Sequence, residues 1–153
     1  MILSQKESML LQDMMTQEQL CIEKYSQYAQ KADDPALKSL CQTLGQTEQQ
    51  HYNTLQQMSK GTVPQMNAQQ QAQQSGQQAQ QPAPASASAK ASKQDEYLCQ
   101  DLLSTEKHVS SAYNTAIFEF KDAGMRDALN HIQKEEQEHG KKLYDYMSQH
   151  NIY

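Results

Sequence analysis

TEQQHYNTL at residues 47–55 and EEQEHGKKL at residues 135–143 share a glutamate, a histidine three residues on and a leucine four residues after that. They belong to a longer repeat. A gapless shift of 88 residues lays 10–58 on 98–146 and pairs Leu10 with Leu98, Gln12 with Gln100, Asp13 with Asp101, Glu18 with Glu106 and Tyr25 with Tyr113. It goes on to pair Asp34 with Asp122, Glu48 with Glu136, Gln49 with Gln137, His51 with His139 and Leu55 with Leu143. Outside these polar positions the stripes are apolar at spacings of three and four, the period of an amphipathic helix. Leu11, Met14 or Met15, Cys21 or Ile22, Tyr25 and Ala29 form one stripe, and Leu37, Leu40 or Cys41, Leu44, Leu55 and Met58 the next. Each stripe pair breaks at a turn with helix-start chemistry: Asp34 before Pro35, and Asp122 in Lys121-Asp122-Ala123-Gly124. Ser4 and Glu7 have the spacing of a capping box that opens the first helix. The expected fold is therefore all-α: a four-helix bundle of two repeated antiparallel hairpins, residues 1–58 and 94–153.

Between them lie residues 59–93, without an acid or an aromatic and with three of the four prolines. The chain has 27 glutamines in 153 residues, and 10 of them fall in 65–81, so its mean hydropathy of -0.92 is largely this tract. Such a segment cannot bury enough apolar surface to offset its ordering entropy and reads as a disordered linker. If helices two and three run parallel, the linker must travel back along the bundle. About 36 Å for a helix of some 24 residues is within reach of a flexible chain of that length. Exchange of hairpins between two chains would make a homodimer instead.

The remaining composition excludes several classes. Thirteen Lys and Arg against 18 Asp and Glu give a formal charge of -5 with no basic run, which argues against nucleic-acid binding. No apolar run approaches a membrane span, and MILSQKESML lacks the marks of a signal peptide, so the expectation is a start in the cytosol with no membrane insertion. Cys21, Cys41 and Cys99 are an odd, widely spaced set and read as small buried hydrophobes.

The chemistry lies where the apolar stripes are interrupted. Every helix carries a glutamate there, and the second and fourth add a histidine on the same face. Glu18 precedes the cap Asp34 by 16 residues and Glu48 follows it by 14; Glu106 and Glu136 stand in the same relation to Asp122. At about 1.5 Å per residue, each hairpin brings its two glutamates level. Four uncompensated buried carboxylates would be prohibitive. Two divalent cations match their charge, and a Glu from each of two helices with Glu-x-x-His from each of the other two is the ligand set of ferritin-like di-iron and di-manganese proteins. The candidate ligands are Glu18, Glu48, His51, Glu106, Glu136 and His139, and the expected metals are two ions of iron or manganese. Their charge would bring the net value near -1.

Tyr25 and Tyr113 lie two turns beyond Glu18 and Glu106 on the same face. They can hydrogen-bond a ligand carboxylate or act as redox-active phenols, although a core tyrosine with a satisfied hydroxyl is the commoner outcome. Asp13 and Asp101 lie off the stripe and read as solvent-facing. Glu23, Glu135, Glu138, His108 and His131 read as solvated or as outer partners of the ligands, with no acceptor identified for the second nitrogen of either candidate histidine.

QEQLCIEKYSQYA at 17–29 with TEQQHYNTL, and EKHVSSAYNTAIFEF at 106–120 with HIQKEEQEHGKKLYDYM at 131–147, resemble the Coat F family of spore-coat proteins, within the ferritin-like superfamily. The resemblance covers about three quarters of the chain and is most specific in the second half. It implies a coat component made in the mother-cell cytosol and deposited on the forespore among other spore-coat proteins. The first half also resembles rubrerythrin, with Glu18 and Tyr25 at its first-helix glutamate and tyrosine. Val109 stands where rubrerythrin has a further carboxylate, and there is no cysteine cluster for a rubredoxin-type iron. Three functions follow as expectations: a metal-holding coat protein, a peroxide- or oxygen-consuming oxidoreductase of catalase or rubrerythrin type, and a structural coat module with an empty site.

Overall fold

The computed structural model describes residues 1–65 and 90–153. Four helices account for most of them: α1 (Gln5–Lys31), α2 (Pro35–Ser59), α3 (Lys93–Ile117) and α4 (Ala123–Gln149). At 25 to 27 residues each is about 40 Å long. Residues 66–89, the greater part of the expected linker, lie outside the described residues.

All four helix starts are capped by a side chain. Ser4 Oγ accepts from the Glu7 amide at 3.1 Å while Glu7 Oε2 accepts from the Ser4 amide at 2.7 Å, the reciprocal capping box. Asp34 caps α2 through the Ala36 amide at 2.8 Å, with Pro35 in the first turn, and Asp122 caps α4 through Met125 at 2.9 Å. Ser92 caps α3 by accepting from the Asp95 amide at 3.1 Å. The repeat thus reaches beyond 10–58, to Ser4 with Ser92 and Glu7 with Asp95.

Those two acids hold the hairpins to each other. Asp95, 1% exposed, accepts from the Asp33 and Asp34 amides in the α1–α2 turn at 2.8 and 2.9 Å. Glu7 accepts from the Lys121 amide in the α3–α4 turn at 3.1 Å. Residues 33 and 121 are themselves 88 apart, so one contact is made twice, each time from one hairpin to the other.

Side-chain pairs between hairpins give the directions. Along α1, Lys24 and Tyr28 meet Thr105 and Asp101 of α3, rising numbers against falling ones, so these helices are antiparallel. α2 and α4 also pair in this sense, and each helix packs on two antiparallel neighbours. α2 and α3 consequently run parallel: the chain leaves α2 where Gly61 meets Met1 and enters α3 beside the α1–α2 turn at the far end.

The apolar core comes in two clusters. One, toward the α1–α2 turn, includes Leu37, Leu44, Leu102, Leu143 and Met147; the other, toward the α3–α4 turn, includes Leu11, Leu55, Val109, Leu129 and Ile132. The glutamates and histidines lie between them. Cys21, Cys41 and Cys99 are buried and unpaired, and burial pushes each thiol upward, to about 12 for Cys41 and Cys99.

Asp101 departs from the solvent-facing reading. It is half-buried on the α1–α3 seam, accepting from the Tyr28 hydroxyl at 2.6 Å and pairing with Lys24 Nζ at 3.0 Å. Its repeat mate Asp13 is exposed, because Ala112 and Ala116 occupy the places of Lys24 and Tyr28 in the second copy and offer no donor.

Candidate metal centre

Glu18, Glu48, His51, Glu106, Glu136 and His139 converge on one layer of the bundle, none more than 2% exposed. They form two overlapping sets, Glu18, Glu48, His51 and Glu136 on one side, and Glu48, Glu106, Glu136 and His139 on the other; within each set one ligand atom per residue lies within 4.8 Å of all the others. Glu48 and Glu136 belong to both. Glu48 Oε2 lies 3.2 Å from His51 Nδ1 and its Oε1 lies 3.1 Å from His139 Nδ1. Glu136 is turned the same way, Oε1 at 3.1 Å from His51 Nδ1 and Oε2 at 3.6 Å from His139 Nδ1. Glu18 and Glu106 stand at the two ends, 3.8 Å from His51 Nδ1 and 3.5 Å from His139 Nδ1. The imidazoles are nearly parallel, with centroids 5.8 Å apart.

The tyrosines act crosswise. The Tyr25 hydroxyl of the first hairpin donates to Glu106 Oε1 of the second, and the Tyr113 hydroxyl of the second to Glu18 Oε1 of the first. Both phenols are buried with satisfied hydroxyls, and the acceptor is in each case a glutamate of the layer. Burial, with the glutamates around them, raises both phenols above their ordinary range.

The outer acceptor that sequence left unidentified is Glu135. Its Oε2 lies 2.5 Å from His51 Nε2, and its Oε1 lies 3.2 Å from Nε2 of His131, which is part-exposed on the preceding turn of α4. Glu23, Glu138 and His108 are exposed. The i, i+4 pair His131 and Glu135 beside Glu136 was the available signal, but the repeat, which marks every other member of the layer, sets Thr43 and Thr47 against them.

Burial pushes Glu18 well above the ordinary carboxyl range, helped by the negative Glu48 and Glu136, and raises Glu106 to about 10. Burial pushes Glu48 and Glu136 upward too, but hydrogen bonds, those of the His139 and His51 imidazoles among them, outweigh it and bring both below that range. Both imidazoles, which burial alone would hold neutral, are raised well above their usual value by the carboxylates around them. Glu18 Oε2, Glu106 Oε2 and Glu136 Oε2 remain buried with no hydrogen-bond partner. Uncompensated carboxylate oxygens at such depth are costly. Three of them facing two imidazole nitrogens make a hard oxygen and nitrogen donor set, which fits divalent cations, and either set can hold one.

Residues 94–153, which span α3, the turn and α4, match the Coat F domain. A Bacillus subtilis (strain 168) protein called YusN and described only as uncharacterized is 37% identical over 59 residues, 39% of this chain and 54% of that protein. The chain thus spans about half the length of this curated relative. No solved structure matches the chain. Among the described residues no helix is long and apolar enough to cross a membrane.

Proposed function

We propose, on the premise that this is a Coat F family protein carrying that domain in its second hairpin, that it is a spore-coat component built as a ferritin-like bundle around two divalent metal ions, iron or manganese. One observation carries the reading: two four-residue donor sets, each of three carboxylates and an imidazole, share Glu48 and Glu136 and leave three buried carboxylate oxygens without a partner. In this reading Glu18 and His51 hold one ion, Glu106 and His139 the other, and Glu48 and Glu136 lie between. Tyr25 and Tyr113 fix the end carboxylates from across the hairpin interface. The two apolar clusters keep water from the layer. Its partners are other spore-coat proteins, with hairpin exchange as a route to a homodimer, and it passes from the mother-cell cytosol to the coat.

The test is metal analysis of protein purified without chelator. About two ions per chain are expected, lost in the Glu48→Ala, Glu136→Ala double variant. Only traces of metal, unchanged by that variant, would leave a structural coat module and end the metal reading.

A second reading rests on the phenol placed on each end carboxylate. Redox-active ions in such a site supply electron transfer toward peroxide or dioxygen, with the two tyrosines as nearby phenolic donors. Catalase and peroxidase assays on the loaded protein test it; absence of turnover leaves metal holding as the function.

A further inference from the structure

The 88-residue repeat supplies the two donor sets with matching residues, so a difference between them must come from groups behind the ligands. Such a difference is present. His51 Nε2 meets Glu135 Oε2 at 2.5 Å, and Glu135 is braced in turn by His131 at 3.2 Å. In the repeat the place of Glu135 is taken by Thr47 and that of His131 by Thr43. Thr47 Oγ1 turns to its own helix and donates to the Thr43 carbonyl at 3.5 Å. Among the described residues nothing bonds His139 Nε2.

We propose that the two metal positions are inequivalent, that Glu135 is a positioning residue for His51, and that the position of Glu18, Glu48, His51 and Glu136 is the tighter and fills first. This rests on the di-metal reading above. A carboxylate on Nε2–H keeps the proton on that nitrogen and leaves the lone pair on Nδ1, the atom that faces Glu48 and Glu136. It also fixes the ring plane and increases the donor strength of Nδ1. His139 points the same nitrogen into the layer without that support.

The experiment titrates the metal-free, full-length protein with Co2+ and follows visible absorption and heat. Wild type is expected to bind two ions in two separate steps. Glu135→Gln should weaken the first step about 10–100-fold, the usual effect of losing such a partner, and leave the second in place. Thr47→Glu gives His139 the missing carboxylate and should tighten the second step toward the first. Two equal steps in wild type, or a Glu135→Gln variant that weakens both steps alike, overturn the inference while two bound ions keep the di-metal reading. No Co2+ bound by any of the proteins removes both. If Glu135→Gln does not fold, Thr47→Glu decides alone: a narrowed gap supports the inference and an unchanged gap contradicts it.

Discussion

At the scale of single residues, the layer is held by donors that each hairpin lends to the other. The Tyr113 hydroxyl is what satisfies Glu18 Oε1, since Oε2 of the same carboxylate has no partner. Tyr113→Phe leaves a buried carboxyl with neither oxygen hydrogen-bonded, and should destabilise the metal-free protein by about 1–3 kcal/mol in urea denaturation; unchanged stability would contradict the crosswise pairing. The six candidate ligands were legible in the sequence because a charged residue on an apolar stripe is conspicuous, and more so when it occurs twice at one spacing. Glu135 was not. It is adjacent to Glu136, off the stripe, and its mate is Thr47, so neither periodicity nor repetition marks it. The tyrosines were legible as members of the glutamates' own helix face, but which neighbouring helix receives their hydroxyls is a property of packing that one helix's sequence does not carry.

At the scale of the elements, helix starts and turns were legible from local chemistry, since Ser4, Asp34 and Asp122 cap as their spacing implies. The second role of the first-turn acids was not, because Asp95 acts on amides 61 and 62 residues away. Asp95→Ala removes two hydrogen bonds to a buried charged group and frees the α1–α2 turn from α3. The expected loss is about 2–4 kcal/mol, against about 0.5 or less for the exposed Glu23→Ala, both read from denaturation midpoints. Equal effects for the two variants would show that the turn is not held by this acid. Glu7→Ala should fall between them: the Ser4 amide, then the Lys121 amide, hold its carboxyl below the ordinary range, but it secures only one amide of the opposite turn.

At the scale of the whole molecule, the layer offsets part of its own negative charge without metal. Burial pushes Glu18 and Glu106 toward the protonated form, hydrogen bonds hold Glu48, Glu136 and Glu135 toward the ionised form, and the carboxylates push both imidazoles toward the charged form. Groups with raised folded values stabilise the fold at low pH and lose that contribution as pH rises through them. For Glu106 the window runs from 4.5 to about 10, and the histidines lose theirs above 6.5. Glu48 and Glu136, lowered, act oppositely and lose their contribution as pH falls below 4.5. Thermal melting of the metal-free protein should therefore fall between about pH 6 and pH 9, and bound metal should flatten that decline by replacing the protons. A metal-free protein whose Tm rises over this range would contradict the charge assignment. The acidic balance in the sequence thus says little about the surface, because seven of its 18 acids, Glu7, Glu18, Glu48, Asp95, Glu106, Glu135 and Glu136, are buried.

The most direct test of the central claim is calorimetric titration of metal-free protein with Mn2+ at pH 7 in two buffers of different ionisation enthalpy, which counts ions and protons together. Saturation at two ions per chain with net release of protons, abolished by the Glu48→Ala, Glu136→Ala double variant, is the predicted result. No saturable binding, or the same stoichiometry in the double variant, would contradict it.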